Sequence, residues 1–240
     1  MKRVNWSLIR LVILVIGIIF LYSFTGKRNR ERKVAGAVVV FVGKNPLFVQ
    51  QKTVNKMLIE NRTDPKTIER DALDLNKLEK IIDSHPMIEK SQVFVSVDGT
   101  LKAEVKQKTP IARINERGRE YYIDYNGVKM PLSSNYTARV LLVSGEIDDQ
   151  NKEGLVELFR MIYDDPFLKK NIIGIQIMPN DGVVMLNRNF NYQIDFGQVI
   201  NVEQKFKNYK AFFQKVALDS SITKYKKIDL RFTKQVVCTK

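Results

Sequence analysis

The chain has 240 residues, with 40 lysines and arginines, 26 aspartates and glutamates, and a net charge of +14. Hydrophobic residues make up 44%, and 12 glycines and 7 prolines are too few for a collagen-like or low-complexity chain, so one large domain or two small ones are expected. One cysteine, Cys238, excludes an intrachain disulfide, and one histidine, His85, excludes a Cys/His zinc site.

The charge is unevenly placed. Residues 1–33 hold eight bases against Glu31 alone; the remainder holds 32 bases against 25 acids. Half of the excess therefore flanks one apolar segment, where basic side chains meet anionic headgroups. That footprint has the wrong shape for nucleic acid, and no nucleic-acid partner is expected. Residues 11–26 carry no charge. Arg10 can snorkel, which extends the usable helix back to Trp6. Residues 6–26 then span about 31 Å at 1.5 Å per residue, against a hydrocarbon core of ~30 Å. Trp6 and Tyr22 fall where interfacial aromatics belong. The alternative is a cleaved signal peptide, and Ser23-Phe24-Thr25 is a small-x-small match, but Ala-x-Ala is missing. The expectation is a short tail over 1–7, a transmembrane helix over 8–26 and a charged linker over 27–35. Three bases precede the apolar segment and five follow it, so the positive-inside rule by itself puts the large domain in the cytoplasm.

Residues 37–42 form an apolar, β-branched run and read as a strand, ending in a turn cluster at 43–46. Val54, Met57, Leu58 and Asn61 follow helical spacing, which predicts a helix over 50–60, ended by the turn residues 61–65. Leu75, Leu78, Ile81 and Ile82 share one face of a second helix with Asp74 as N-cap, and His85-Pro86 stops it. Val93, Val95 and Val97 alternate, as do Leu101, Ala103 and Val105, and Asp98-Gly99 marks a hairpin between them. A strict two-residue loop would put two charges on the valine face. An odd loop pairs Val97 with Leu101, Val95 with Ala103 and Val93 with Val105, and is the predicted one. Strand, helix, helix, strand, strand over 36–109 is an α+β unit.

After Thr109-Pro110 the chain turns strand-rich. Strands are predicted at 111–115, 120–125, 128–132 and 139–143, with Asn126-Gly127 as a hairpin turn. A helix over 150–163 carries Leu155, Leu158, Phe159 and Ile162, and Asp165-Pro166 ends it. Strands follow at 173–178, 183–187 and 192–196. Asn201 and Gln204 resemble a capping box opening a helix with Val202, Phe206, Tyr209, Phe213 and Val216. Two last strands are predicted at 227–232 and 235–239. The second domain, 110–240, is thus a β-rich mixed domain with two or three helices.

The chain lacks G-x-S-x-G, H-E-x-x-H, a Walker loop and G-x-G-x-x-G. Asp148-Asp149 and Asp164-Asp165 lie at helix edges, where acids cap or face solvent. His85 beside Pro86 reads as a turn residue, and Cys238 as an ordinary packed or edge residue. No catalytic residue, metal, cofactor or small-molecule substrate is expected, which points to a binding or scaffold protein.

Three stretches carry a resemblance. The first runs Leu75-x-x-Leu78-x-x-Ile81, Met87-Ile88, Ser91-x-Val93, Leu101-x-Ala103-x-Val105 and Pro110-Ile111-Ala112. The second is Tyr122-Ile123-Asp124-x-x-Gly127-x-x-Met130-Pro131, and the third is Ile228-Asp229-Leu230-Arg231-Phe232. In this order, behind a single anchor, the chain resembles the FtsQ/DivIB family of bacterial division proteins. A proline common after the first hairpin strand in that family is Asp98 here.

The resemblance implies a POTRA domain over 36–109, a β domain over 110–240, a cytoplasmic N-terminus and everything beyond the anchor outside the inner membrane, at the division septum. It also implies a scaffold that joins early and late division proteins, binds FtsB/FtsL-type partners and so influences septal peptidoglycan synthesis, with other divisome members recruited through the POTRA domain. The family's partner pairs with an edge strand near the end of the β domain. Here the matching residues are Phe232, Lys234, Gln235, Val236, Val237 and Cys238, with Thr233 as a turn residue. Two other classes compete. A POTRA-bearing accessory of secretion or outer-membrane assembly usually continues into more POTRA units or a long barrel. A membrane-tethered cell-wall enzyme would need the nucleophile or metal motifs that are missing.

Overall fold

The computed structural model describes residues 6–30, 33–43, 48–59, 73–218 and 221–240. The turn residues expected at 44–46 and 61–65, and Glu60 of the first predicted helix, lie outside them. The chain divides into two units, Met1–Gln107 and Lys108–Lys240.

Helix α1 covers Trp6–Arg30, 25 residues. Its apolar side chains point outward on every side, from Leu11 to Phe24. Among the described residues no helix is long and apolar enough to cross a membrane. Apart from Trp6, the side chains described along α1 run only over 10–26. The span expected over 8–26 is therefore not found within the described residues.

In the first unit, β1 (Gly36–Val42), β2 (Ile88–Val95) and β3 (Thr100–Gln107) form a sheet in the order β1-β3-β2. β3 runs parallel to β1 and antiparallel to β2. Helices α2 (Gln51–Leu58) and α3 (Leu75–Asp83) bury Val54 and Leu58, and Leu78 and Ile82, each pair one turn apart. Asp74 caps α3 by accepting the Lys77 N–H at 3.0 Å. Glu79 ties α3 to the sheet, its Oε1 accepting the Val93 N–H at 2.7 Å.

The β2–β3 hairpin keeps the predicted face and shifts the predicted partners. Val95 pairs with Leu101, Val93 with Ala103 and Ser91 with Val105. Each predicted pairing is therefore offset by two residues, which preserves the apolar face, because side-chain direction repeats every second residue. Val97 is left in the loop, 98% exposed. Asp98 causes the offset. Its carboxylate accepts from the Ser96 hydroxyl, from the Thr100 N–H at 3.2 Å and from the Thr100 hydroxyl at 2.9 Å, and Gly99 takes φ +86°. These bonds lie within a loop wider than the predicted one, and they hold the Asp98 carboxyl at about 2.

The second unit contains β4 (Pro110–Glu116), β5 (Arg119–Asp124), β6 (Lys129–Met130), β7 (Leu141–Ser144), α4 (Lys152–Asp164), α5 (Pro166–Asn171), β8 (Ile172–Ile177), β9 (Val183–Asn187) and β10 (Gln193–Gly197). Then come α6 (Val202–Leu218), a 3-10 turn at Ser221–Lys224, β11 (Lys227–Asp229) and β12 (Val237–Thr239). Among the described residues the strands form one mixed sheet, in the order β12-β11-β10-β9-β8-β7-β4-β5-β6. β7 enters between β4 and β8, parallel to both, and β10 and β11 are parallel across the α6 crossover. Inward residues such as Ile114, Ile175, Met185, Ile194 and Ile228 share one apolar cluster with Phe159, Leu168, Phe206 and Tyr209. Helices α4, α5 and α6 therefore cover the same face of the sheet.

Two expectations change here and a third is extended. Asp165-Pro166 ends α4 at Asp164, as expected, and also starts a further helix. Asp165 accepts the Phe167 and Leu168 N–H groups, both at 3.0 Å, and Pro166 opens α5, as a proline at the first helical position can. The capping box is not formed. Asn201 takes φ +52°, away from the extended geometry of an N-cap, and Gln204 Nε2 reaches forward to Asn208 Oδ1 at 2.8 Å. The last two strands are shorter than predicted, three residues each.

Candidate partner-docking site

The last strand, β12, is the edge of the large sheet and pairs on one side with β11. Register links three strands here. Ile194, Ile228 and Cys238 form one row across β10, β11 and β12, and Asp195, Asp229 and Val237 form the next. Neighbouring rows point to opposite faces. The first row packs into the core; in the second, Val237 is 42% exposed.

That second row puts two carboxylates side by side, an arrangement that costs stability when uncompensated. Bases surround them. Arg231 Nε lies 3.0 and 3.1 Å from the two Asp229 oxygens and 3.6 Å from Asp195 Oδ2, and Lys227 Nζ lies 2.9 Å from Asp195. The Arg231 hydrogen bonds hold the Asp229 carboxyl below its ordinary value, and the same bonds raise the guanidinium. Buried Lys205 lies near this pair. Its Nζ donates to the Phe196 and Gln198 carbonyls at 2.9 and 2.8 Å, and burial lowers its pKa.

The connection from β11 to β12 is pinned in three places. The Leu230 N–H donates to the Asp195 carbonyl at 2.8 Å. The Arg231 N–H donates to Asp229 Oδ1 at 3.0 Å. Asn208 Nδ2, on α6, donates to the Thr233 carbonyl at 2.8 Å. Phe232 is half-exposed between these anchors, with the Arg231 guanidinium carbon 6.0 Å from its ring centre.

Of the six expected docking residues, Val237 and Cys238 lie in β12. Phe232, Lys234, Gln235 and Val236 lie in the connection, and Val236 is partly buried against the core. Thr239, Arg231, Asp195 and Asn208 belong to the same surface and were not singled out by sequence reasoning. Thr239 continues the alternation of Val237 and was legible. Asp195 and Asn208 reach the ribbon through pairing and packing across the α6 crossover, which no local pattern encodes.

The surface offers a strand edge with no neighbour strand among the described residues, two half-exposed apolar side chains and a cluster of paired charges. Burial raises the Cys238 thiol, which disfavours the thiolate that nucleophilic chemistry requires. His85 lies in the other unit, its Nδ1 accepting the Met87 N–H at 3.3 Å. Of the acid pairs, Asp165 caps α5 and two others hold neighbouring groups. Asp148 accepts the Gln150 and Asn151 N–H groups, both at 2.9 Å, and Asp164 accepts the Tyr125 hydroxyl at 2.8 Å.

A family described as FtsQ/DivIB, C-terminal related matches residues 109–239, more than half of the chain. A POTRA-like domain matches residues 38–106. No curated protein matches the chain. One solved structure with a likeness to it is the major extracytoplasmic domain of the trans isomer of the bacterial cell division protein DivIB from Geobacillus stearothermophilus. Identity is 13% and the TM-score 0.30, over 48% of this chain and 97% of that one. The chain belongs to the FtsQ/DivIB C-terminal-related family, with a POTRA-like domain preceding the region that defines it.

Proposed function

We propose that the protein is a non-catalytic, membrane-tethered scaffold of the bacterial division machinery, and that it binds FtsB/FtsL-type partners by strand addition at β12. The observation that carries this reading is the position of β12 at the rim of the sheet, with no further strand beyond it among the described residues. An unpaired strand edge is a template for a foreign strand. Three cross-strand pairs at roughly 0.2–1 kcal/mol each come to about 3 kcal/mol at most, less than a millimolar complex needs. The side chains must add to this, and Phe232 and Val237 are the exposed apolar groups placed to do so. The tether is the apolar segment of α1, with residues 1–7 in the cytoplasm and both folded units outside the inner membrane. Other division proteins dock on the POTRA-like unit.

Phe232→Ala and Val237→Lys, the latter setting a base beside Asp229, test the docking mode in the full chain. Both side chains are exposed, so unfolding should not move. Capture of a purified FtsB/FtsL-type complex should fall at least tenfold, and cells carrying either variant should filament. Undiminished capture by both variants would end the strand-addition reading.

A further inference from the structure

The covered side of the second unit has a feature that the strand edge does not use. Three concavities of about 210, 520 and 480 Å³ follow one another along α4. The first and second share Val199; the second and third share Met161, Glu203 and Lys207. They form one trough between α4 and α5 on one side and α6 with its leading loop on the other. Its length is that of α4, about 20 Å at 1.5 Å per residue. Its apolar lining is the partly exposed Met161, Val199 and Val202, laid over the buried Leu155, Leu168 and Phe206.

The rim has a sign. Glu157, Asp164 and Glu203 are exposed along it, and Asp165 beside them is already paired with Lys210. Lys207 is the other base of the lining. With Asp181 of the first concavity, five acids against two bases make a local negative excess in a chain of net charge +14. Among the described residues, Glu157, Glu203 and Lys207 are in no ion pair. A trough three to four turns long between two helices, apolar toward its two ends and polar at its middle, fits a third helix, which would meet it through residues spaced i, i+3 or i+4, and i+7. The acidic rim selects the flanks of that helix. We infer that the α4–α6 trough receives an amphipathic helix of a partner protein, with lysines or arginines bordering its apolar stripe. This surface lies on the helical side of the sheet, separate from the β12 edge, and the inference does not depend on the strand-addition reading.

The test uses the full chain in the cells that make it. A photo-crosslinking residue replaces Met161 or Gln204 in the trough, or Leu186 on the uncovered face as a control, and adducts are sequenced by mass spectrometry. The expected adduct at both trough positions is a partner segment with apolar residues at helical spacing and net positive charge. Combining Glu157→Lys with Glu203→Lys should cut its yield at least fivefold and leave the Leu186 result unchanged. If that pair lowers the unfolding midpoint, Glu157→Gln with Glu203→Gln replaces it, with at least a twofold loss expected. The inference is overturned by no adduct at either trough position, or by a second copy, a lipid, or an acidic or extended segment as the adduct. Insensitivity of the yield to the charge changes overturns it equally.

Discussion

A β-carbon placed on Gly197 would lie 2.7 Å from Arg231 Cγ. The bare backbone at the end of β10 is thus the floor on which the Arg231 side chain rests on its way to Asp229 and Asp195. Gly197 also takes φ +67°, where an L side chain is strained. Gly197→Ala is expected to lower unfolding stability by about 1–2 kcal/mol through backbone strain alone, with the overlap adding to it. In an Arg231→Ala background the overlap is removed, so the same substitution should cost less. Chemical denaturation of the four chains of this double-mutant cycle measures the difference.

The Asp229–Arg231 contact sets a pH dependence. Its carboxyl is held below the ordinary value of 3.8 in the folded chain. A depressed carboxyl contributes stability that is fully present above the unfolded value and is lost as pH falls through the folded one. The β11–β12 ribbon should therefore be indifferent to pH from neutrality down to about 4 and weaken below it. Amide exchange at Leu230 and Arg231, followed on acidification, checks this. Asp229→Asn should flatten the response at those two residues.

Register in the β2–β3 hairpin can be tested with charge. Val97 faces solvent in the loop, and Val93 is buried opposite Ala103. Val97→Asp should change stability by less than about 0.5 kcal/mol. Val93→Asp should cost about 3 kcal/mol or more, because it buries a carboxylate among apolar side chains. Comparable losses from the two would return Val97 to the ladder.

Orientation across the membrane is open to a direct measurement. Five bases over residues 27–33 follow the apolar segment, and the proposed topology carries them outward, against the positive-inside bias. A reporter active only outside the cytoplasm, fused after Lys240, should be active. Activity from a cytoplasm-specific reporter at the same position would reverse the topology.

Local features were the legible ones. Leu78 and Ile82, with Asp74 ahead of them, specify α3 within nine residues, and the structure has that helix with that cap. Alternation in β2 and β3 gave the correct face, but the loop length depended on hydrogen bonds of Asp98 that alternation does not register. Asp165-Pro166 was ambiguous for a physical reason: the same pair can close one helix or start another, and here it does both. The insertion of β7 between β4 and β8, and the meeting of Asp195 with Asp229, rest on pairings distant in sequence. A buried triangle of Asn187, Tyr192 and Tyr209 was equally invisible, since its hydroxyl and amide groups meet at 2.9 to 3.1 Å only once α6 has packed.

The final strand hangs from its sheet by three residue pairs on a single flank. Opening it breaks no other ladder, so it should fray ahead of everything inboard of it. A guest strand on the vacant flank would give those same residues a second set of neighbours and suppress the fraying. Occupancy of the rim would then be readable from the protein alone, as slower exchange at Val237, Cys238 and Thr239, without a label on whatever had arrived.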